Sequence, residues 1–276
     1  MANDLAKIID YSAYPIGDTD SMILQEVISR AQLELRNNGI ALLPNFMLPS
    51  AIEETISDTE QLLTNAFRGI SNHNVYLEDF KDDPSKGPEH PGQIISRSSK
   101  TCVTHDQLKE STPLNMLFMS TEMTNFVRLL LNKKVLYRTA DALGALNVHV
   151  YRENDQLNWH FDRGEFAVTL LLQSPEGGGH FQYIPATRSE ENENFELVRS
   201  VLLASQAGKD ISDLGIKQVE GLLPGTLMMF CGHNSMHRVT PIHGKKARFL
   251  AVLSYEGRPD VHLNEYTRMK FFGRLR

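Results

Sequence analysis

The sequence predicts a mainly β protein in which an N-terminal helical part, residues 1–133, packs on an antiparallel β core, residues 134–256. Two observations predict this class. The first part carries apolar residues at helical spacing, whereas the second consists of short runs rich in β-branched and aromatic residues, separated by turn signals. Such a core is either a sandwich or a jelly roll. No internal repeat or low-complexity tract divides the 276 residues, so a single domain, residues 1–276, is expected.

The N-terminal part contains four predicted helices. Residues 20–37 have apolar positions at helical spacing, and an Asn-Asn-Gly sequence ends this helix. Residues 40–48 favour a short strand, after which Ser50 is the expected N-cap of a helix that runs to about residue 67. Two further helices are predicted near residues 105–118 and 121–133.

Two segments are expected to lie outside this framework. Residues 72–100 are polar and rich in proline, glycine, aspartate and histidine. A loop of this length in a compact protein is usually a functional lid or a disordered segment, and we expect a lid. The C-terminal tail, residues 257–276, is expected to close a pocket in the β core. Within that core, residues 193–208 predict one helix.

Composition excludes several classes of function. Hydrophobic residues make up 41% and charged residues 22% of the chain, which is typical of a soluble globular protein. The formal net charge of −6 and the lack of a long basic run argue against a nucleic-acid partner. The two cysteines, Cys102 and Cys231, form no C-x-x-C motif and favour a reducing, cytoplasmic setting. No signal peptide or membrane-spanning run is evident.

One histidine–aspartate pair opens a predicted strand. Alternation along an extended strand places His160 and Asp162 on one face and Trp159 and Phe161 on the other. The pair could be a metal chelate, a salt bridge or a coincidence, because about one H-x-[DE] match is expected by chance in a chain with 10 histidines and 34 acidic residues. Its position at the head of a strand, and the sequence downstream, favour a metal site.

The downstream sequence contains His237 in a strand-like H-x-V-x-P, a turn at Gly244, and Arg248 at the start of another strand. Here the chain resembles the Fe(II)/2-oxoglutarate-dependent oxygenase superfamily, whose pattern is H-x-D, a long gap, a distal histidine, and a basic residue roughly ten positions later. Tyr151 stands nine positions before His160, as in the strand pair of that superfamily. The resemblance covers about residues 135–255.

This resemblance implies a double-stranded β-helix, the cupin-like jelly roll, with Fe(II) as cofactor and 2-oxoglutarate and O₂ as co-substrates. Two imidazoles and one carboxylate form the facial triad that suits non-haem Fe(II), here His160, Asp162 and His237. The guanidinium of Arg248 would bind the far carboxylate of 2-oxoglutarate, since its planar fork matches a carboxylate. Tyr151 could hydrogen-bond the co-substrate. His233 is the one competitor for the distal ligand, but it lacks the V-x-P continuation.

The chain most resembles a branch of small stand-alone oxygenases that act on free amino acids or similar metabolites. That branch includes hydroxylases, oxidative cyclases and radical halogenases, and the halogenases replace the triad carboxylate by glycine or alanine. Because Asp162 is retained, the resemblance implies C–H hydroxylation, cyclisation or desaturation of a small molecule rather than halogenation. The expected substrate contacts are Arg97, Glu256, Arg268 and Phe271.

Two alternatives from other classes stay open at the level of sequence. A His₂-carboxylate set also binds Zn²⁺, so a zinc-dependent hydrolase or isomerase on a cupin-like barrel would carry the same triad. A non-enzymatic β-sandwich would carry His160 and Asp162 as a structural pair. The first alternative predicts no role for Arg248 in binding an oxo acid, and the second predicts no tight metal site.

Overall fold

The computed structural model describes residues 2–78 and 87–276, whose strands form two larger antiparallel β-sheets and two two-stranded ones. The helices are α1 Ala2–Leu5, α2 Met22–Asn38, α3 Pro49–Leu62, α4 Pro113–Met119, α5 Thr121–Leu130, α6 Phe195–Gln206 and α7 Glu265–Phe272. The strands are β1 Ile40–Leu43, β2 Phe67–His73, β3 Ser96–Thr104, β4 Tyr137–Arg138, β5 Leu146–Tyr151, β6 Leu157–His160, β7 Ala167–Gln173, β8 Gly177–Gly178, β9 Phe181–Ile184, β10 Lys217–Gln218, β11 Leu227–Phe230, β12 Met236–Val239, β13 Ile242–His243, β14 Arg248–Leu253 and β15 Tyr255–Glu256.

The larger sheet has the order β1-β11-β7-β14-β5-β3-β2, and the smaller sheet has the order β10-β9-β12-β6. Apart from the β2–β3 and β9–β10 pairs, strand neighbours in both sheets are not consecutive along the chain, and all of them run antiparallel, as in a jelly roll. Residues of both sheets line a common cavity. This arrangement confirms the predicted fold class, a mainly β double-stranded β-helix buttressed by helices.

Alternation along the strands of the larger sheet separates a packed face from a cavity face. In β5, Leu146, Val148 and Val150 are fully buried against the helices, in one core with Phe118 and Phe126. The intervening residues of β5 are Asn147, His149 and Tyr151, and they line the cavity. The helical layer therefore supports the sheet from behind, while the opposite face is left for polar side chains.

The helices begin and end close to where the sequence predicts. Gly39 ends α2 in the left-handed region, at φ +71°, as the Asn-Asn-Gly signal predicts. The expected Ser50 cap is wrong, because the N-cap is Leu48 and Pro49 occupies the first helical turn. That helix also ends earlier than predicted, since Phe67 already begins β2. The predicted helix at 105–118 is shorter, a 3₁₀ turn followed by α4.

The expected lid over residues 72–100 is corrected at both ends. β2 and β3 pair antiparallel as the last two strands of the larger sheet, with Phe67 opposite Cys102 and His73 opposite Ser96. Residues 79–86, which the lid would include, lie outside the described residues. The hairpin lacks a hydrophobic alternation because its inward residues, such as Ser71 and Ser98, face the cavity.

A buried carboxylate fastens the C-terminal helix to the barrel. Asp141 is fully buried and accepts hydrogen bonds from the backbone N–H groups of Leu143, Gly144 and Leu263, at 2.8–3.0 Å. The same carboxylate accepts from Nε and Nη2 of Arg268 in α7, at 2.8 and 2.6 Å. Arg268, expected as a substrate contact, is therefore a structural partner of Asp141.

No helix in the described ranges is long and apolar enough to cross a membrane.

Replacing Asp141 with alanine should cost more stability than replacing Arg268 with alanine. Asp141→Ala leaves the three N–H groups and the guanidinium without their acceptor, which is expected to lower the free energy of unfolding by about 3–5 kcal/mol. Arg268→Ala leaves a carboxylate that still accepts three backbone hydrogen bonds, and about 1–2 kcal/mol is expected. Urea unfolding followed by circular dichroism measures both. An equal decrease in the free energy of unfolding for both variants would contradict the role given to Asp141.

Candidate metal centre

Three side chains that could hold a metal converge where β6 and β12 pair. His160 ends β6, His237 lies in β12, and the two residues are direct partners in the strand register. Their rings lie 4.1 Å apart between centroids. Asp162 follows β6 by two residues, with Oδ1 3.6 Å from Nε2 of His160 and Oδ2 3.5 Å from Nε2 of His237. The three ligand atoms lie within 4.8 Å of one another.

Hydrogen bonds at the far nitrogen fix both imidazoles for metal binding. Nδ1 of His160 lies 2.8 Å from the carbonyl oxygen of Asn158, and Nδ1 of His237 lies 2.9 Å from that of Ser235. Each Nδ1 therefore carries the proton and donates, which leaves the lone pair of Nε2 directed at Asp162. Nε2 is the ligand atom at both positions.

The protonation states also suit a metal. Burial, with the neighbouring His237 ring, lowers the pKa of His160 to about 4, so this imidazole is neutral near pH 7. Burial alone would raise the pKa of Asp162, but the adjacent histidines His237 and His160 hold it below its ordinary range. Oδ2 of Asp162 is buried without a hydrogen-bond partner. The neutral imidazole of His160 and the ionised carboxylate of Asp162, with its free oxygen, fit Fe(II).

Gly232 makes room for the carboxylate. The N–H of Asp162 donates to the carbonyl oxygen of Gly232 at 3.0 Å, so the two backbones lie side by side. A Cβ at Gly232 would overlap Oδ2 of Asp162 and would lie 2.6 Å from its Cγ. With the Asp162 carboxylate in this position, no room is left for a side chain at position 232.

A cavity of about 370 Å³ adjoins the triad. Its apolar lining comes from both sheets and from α7, and includes Leu77, Phe181, Met228, Val252, Phe271 and Phe272. His73 lies next to the metal centre, with its ring 6.4 Å from that of His160 and its Nε2 2.7 Å from Oγ of Ser98. A cavity of this size and lining is suited to a small molecule.

A buried arginine lies beside this cavity without a partner. Arg248 is 1% exposed, and neither Nη1 nor Nη2 has a hydrogen-bond acceptor. It pairs in register with Tyr151, a cavity residue whose hydroxyl also lacks a partner. Burial raises the pKa of Tyr151, so its hydroxyl stays protonated and can donate. An unpaired buried guanidinium is costly, and together these donors fit a carboxylate such as that of 2-oxoglutarate.

The structure places the other predicted residues differently. Phe271 lines the cavity, as expected for a substrate contact. Arg97 is exposed and lines a separate groove with Asp155, because alternation in β3 turns it away from the cavity. Glu256 lies in β15 outside the cavity lining. His233 is exposed and is not part of the triad.

Sequence reasoning missed four cavity or site residues: His73, Lys100, His149 and Gly232. Lys100 lies in β3 three residues after Arg97, and recognising β3 as a strand would have assigned the two residues to opposite faces. The signal for Gly232 was absent, because its role depends on a contact with a residue 70 positions earlier.

Comparison with known proteins identifies the family. Residues 24–270 match the family described as Halogenase D. The chain belongs to that family. The triad fits a metal ion such as Fe(II), and Arg248 fits a carboxylate such as that of 2-oxoglutarate. No curated protein sequence matches the chain.

Several solved structures share the fold at low sequence identity. The non-haem α-ketoglutarate-dependent epimerase SnoN of nogalamycin biosynthesis is 12% identical with a TM-score of 0.54, covering 84% of this chain and 83% of its own. AviO1 from Streptomyces viridochromogenes is 13% identical with a TM-score of 0.52, covering 84% and 96%. A 2-oxoglutarate-Fe(II) oxygenase from Burkholderia pseudomallei is 13% identical with a TM-score of 0.51, covering 85% and 92%.

Gly232→Ala should weaken metal binding without unfolding the chain. The added methyl group would displace the carboxylate of Asp162, and disturbing a group next to a metal ligand typically reduces affinity about 10–100-fold. Anaerobic Fe(II) titration by calorimetry measures the effect. Gly257→Ala is the matched control, because a Cβ there meets nothing within 4 Å. Unchanged Fe(II) affinity in Gly232→Ala would remove Asp162 from the ligand set.

Proposed function

We propose that this protein uses Fe(II), 2-oxoglutarate and O₂ to oxidise an unactivated C–H bond of a small molecule, an amino acid or a derivative of one. The observation that carries the proposal is a cavity that adjoins the triad of His160, Asp162 and His237 and is also lined by Tyr151, the strand partner of Arg248, whose buried guanidinium has no hydrogen-bond acceptor. Bound Fe(II) with the two co-substrates would supply the oxidant that removes the hydrogen atom, with succinate and CO₂ as co-products. Hydroxylation is the default outcome.

The residues of the chain would do three things in this reaction. The triad would hold the metal on one side and leave the positions facing the cavity for ligands. Arg248 and the hydroxyl of Tyr151 would bind the far carboxylate of 2-oxoglutarate and so orient it relative to the triad. The apolar lining, with Phe271 and Phe272 from α7, would exclude water from the substrate C–H bond.

Hydroxylation is proposed rather than halogenation, although the family is described as Halogenase D. A halide needs a metal position of its own, and in this chain Asp162 supplies a carboxylate there. Gly232 supports this assignment, because its missing side chain is the space that the carboxylate fills. The site is therefore built around three protein ligands.

The unpaired guanidinium favours 2-oxoglutarate over a zinc-dependent hydrolysis. A zinc-dependent hydrolase needs only the triad and a water molecule. Hydrolysis would therefore not explain why the buried guanidinium of Arg248 has no hydrogen-bond acceptor. Binding of a dicarboxylate accounts for both the cation and the adjacent phenol. Arg248 thus distinguishes the two functions that the triad alone allows.

Arg248→Met should weaken 2-oxoglutarate binding and leave Fe(II) binding intact. Methionine keeps the packing but removes the cation, and loss of a charge-assisted bidentate contact is expected to weaken binding at least about tenfold. The measurement is the weak visible absorption band that anaerobic Fe(II)-loaded protein gains when 2-oxoglutarate is added. If this variant forms the band at the same 2-oxoglutarate concentration as the parent protein, Arg248 does not bind the co-substrate.

Asp162→Ala should lose 2-oxoglutarate turnover while keeping its fold. Removing the carboxylate takes one of three metal ligands but also relieves its burial, so the melting temperature is expected to change little. Succinate formation measures turnover, and circular dichroism measures the fold.

In the parent protein, adding chloride should leave succinate formation unchanged, because no metal position is reserved for halide. Dependence of the parent protein on chloride would contradict the assignment of Asp162.

A further inference from the structure

A second cation faces the cavity, and the proposed reaction does not use it. Lys100 lies in the middle of β3, and its Nζ is 3.2 Å from both ring nitrogens of His149. Among the described residues, no carboxylate lies within ion-pair distance of this ammonium group. The nearest aromatic face is that of Phe271, 5.9 Å from Nζ to the ring centroid. Among the described residues, the only hydrogen-bond partner of the Lys100 ammonium group is therefore an imidazole.

His149 does not compensate this charge. Burial, reinforced by the nearby cations Lys100 and Arg248, holds the pKa of His149 well below its ordinary value, so the ring is neutral and accepts a hydrogen bond from the lysine. Burial also lowers the pKa of Lys100. An anion placed beside the ammonium group would reverse that effect, so charge on the lysine and binding of an anion would stabilise each other.

Acidic groups are scarce in the cavity. Among the described residues that line it, Asp162 is the only aspartate or glutamate, and it belongs to the triad. The other lining cations have partners of their own: Arg163 is exposed and donates to the carbonyl oxygen of Leu77, and Lys270 donates to the hydroxyl of Tyr266. The described lining offers a substrate a cation but no carboxylate for an ammonium group.

The balance of charge points the same way. Fe(II), Asp162, Arg248 and Lys100 together would leave an excess of positive charge that a dianion such as 2-oxoglutarate neutralises only in part. Uncompensated charge in an enclosed site of low dielectric is costly. A substrate with a single net negative charge would complete the neutralisation, whereas a zwitterion would not.

We infer that Lys100 binds the carboxylate of a substrate that carries no free ammonium group, that is, a carboxylic acid or an N-acylated amino acid with an apolar body. The inference rests on the proposed function and changes the expected substrate from a free amino acid to an anion without an ammonium group. Leu77, Val252, Leu263 and Phe272 would contact the apolar body, since they line the same cavity. Among the described residues that line the cavity, Lys100 is available for the substrate carboxylate, and no acidic side chain outside the triad is available for an ammonium group.

Binding experiments with matched probes test the inference. The protein is loaded anaerobically with Fe(II) and 2-oxoglutarate, and calorimetry compares three probes with the same six-carbon chain: hexanoate, N-acetylnorleucine and norleucine. We expect at least one of the two anions to bind about tenfold or more tightly than the zwitterion. Tighter binding of norleucine, or no binding of either anion to protein that does bind 2-oxoglutarate, would overturn the inference.

Lys100→Met identifies the residue responsible. The variant should lose the preference for the anionic probes, bind 2-oxoglutarate as the parent protein does, and keep or raise its melting temperature, because a charge without an ion-pair partner is removed. Lys270→Met is the control. Lys270 is another cation of the same cavity and has a side-chain partner, Tyr266, so this variant should keep the preference for the anionic probes.

The possible failures are distinguishable. If the parent protein does not bind 2-oxoglutarate, the proposed function is wrong. If Lys100→Met loses 2-oxoglutarate but keeps the probes, the lysine belongs to the co-substrate site, and the inference is wrong while the function stands. A large fall in melting temperature with unchanged probe binding would make Lys100 a structural partner of His149 and would equally overturn the inference.

Discussion

The register between β6 and β12 is the constraint on which the site depends. His160 and His237 are direct partners across these strands, and their rings meet only because the pairing places both on the cavity face. The ladder shifts just after His237, so the correct register is held over a short distance. A slip by one residue would turn one imidazole to the opposite face and leave Asp162 with a single neighbour. Metal binding is thus a consequence of strand pairing.

The rest of the fold can be understood as support for that pairing and for the cavity beside it. Helices cover one face of the larger sheet with a close-packed apolar layer, which frees the opposite face to carry polar groups. That face contains several buried polar atoms without partners, among them Nη1 and Nη2 of Arg248 and the hydroxyl of Tyr151. Such atoms reduce stability unless a ligand satisfies them. The polar groups on the cavity face therefore lower the stability of the fold and make ligand binding favourable, whereas the apolar packing on the opposite face raises its stability.

The sequence predicts the parts of this arrangement that local pattern determines. The helical layer follows from periodicity and agrees with the structure. The triad follows from the resemblance of its motif to a known family, and the structure brings its three side chains together. The hairpin of β2 and β3 was missed because its inward residues are polar where a cavity, not a core, faces them. The same error favoured Arg97 over Lys100, since only alternation in a recognised strand separates the two. Gly232 depends on a contact between distant segments, which no local pattern encodes.

Asp162 and Gly232 also explain how a family can change its chemistry on one scaffold. The carboxylate needs the space at Gly232, and loss of the carboxylate would leave that space next to the metal, where a small anion could enter. Reaction type would then depend on one side chain at the triad. The proposed substrate contacts are other residues, on β3 and α7, which also line the cavity. Because these two sets of residues lie on different elements, the oxidation outcome and the substrate can vary independently, and retention of Asp162 constrains only the first.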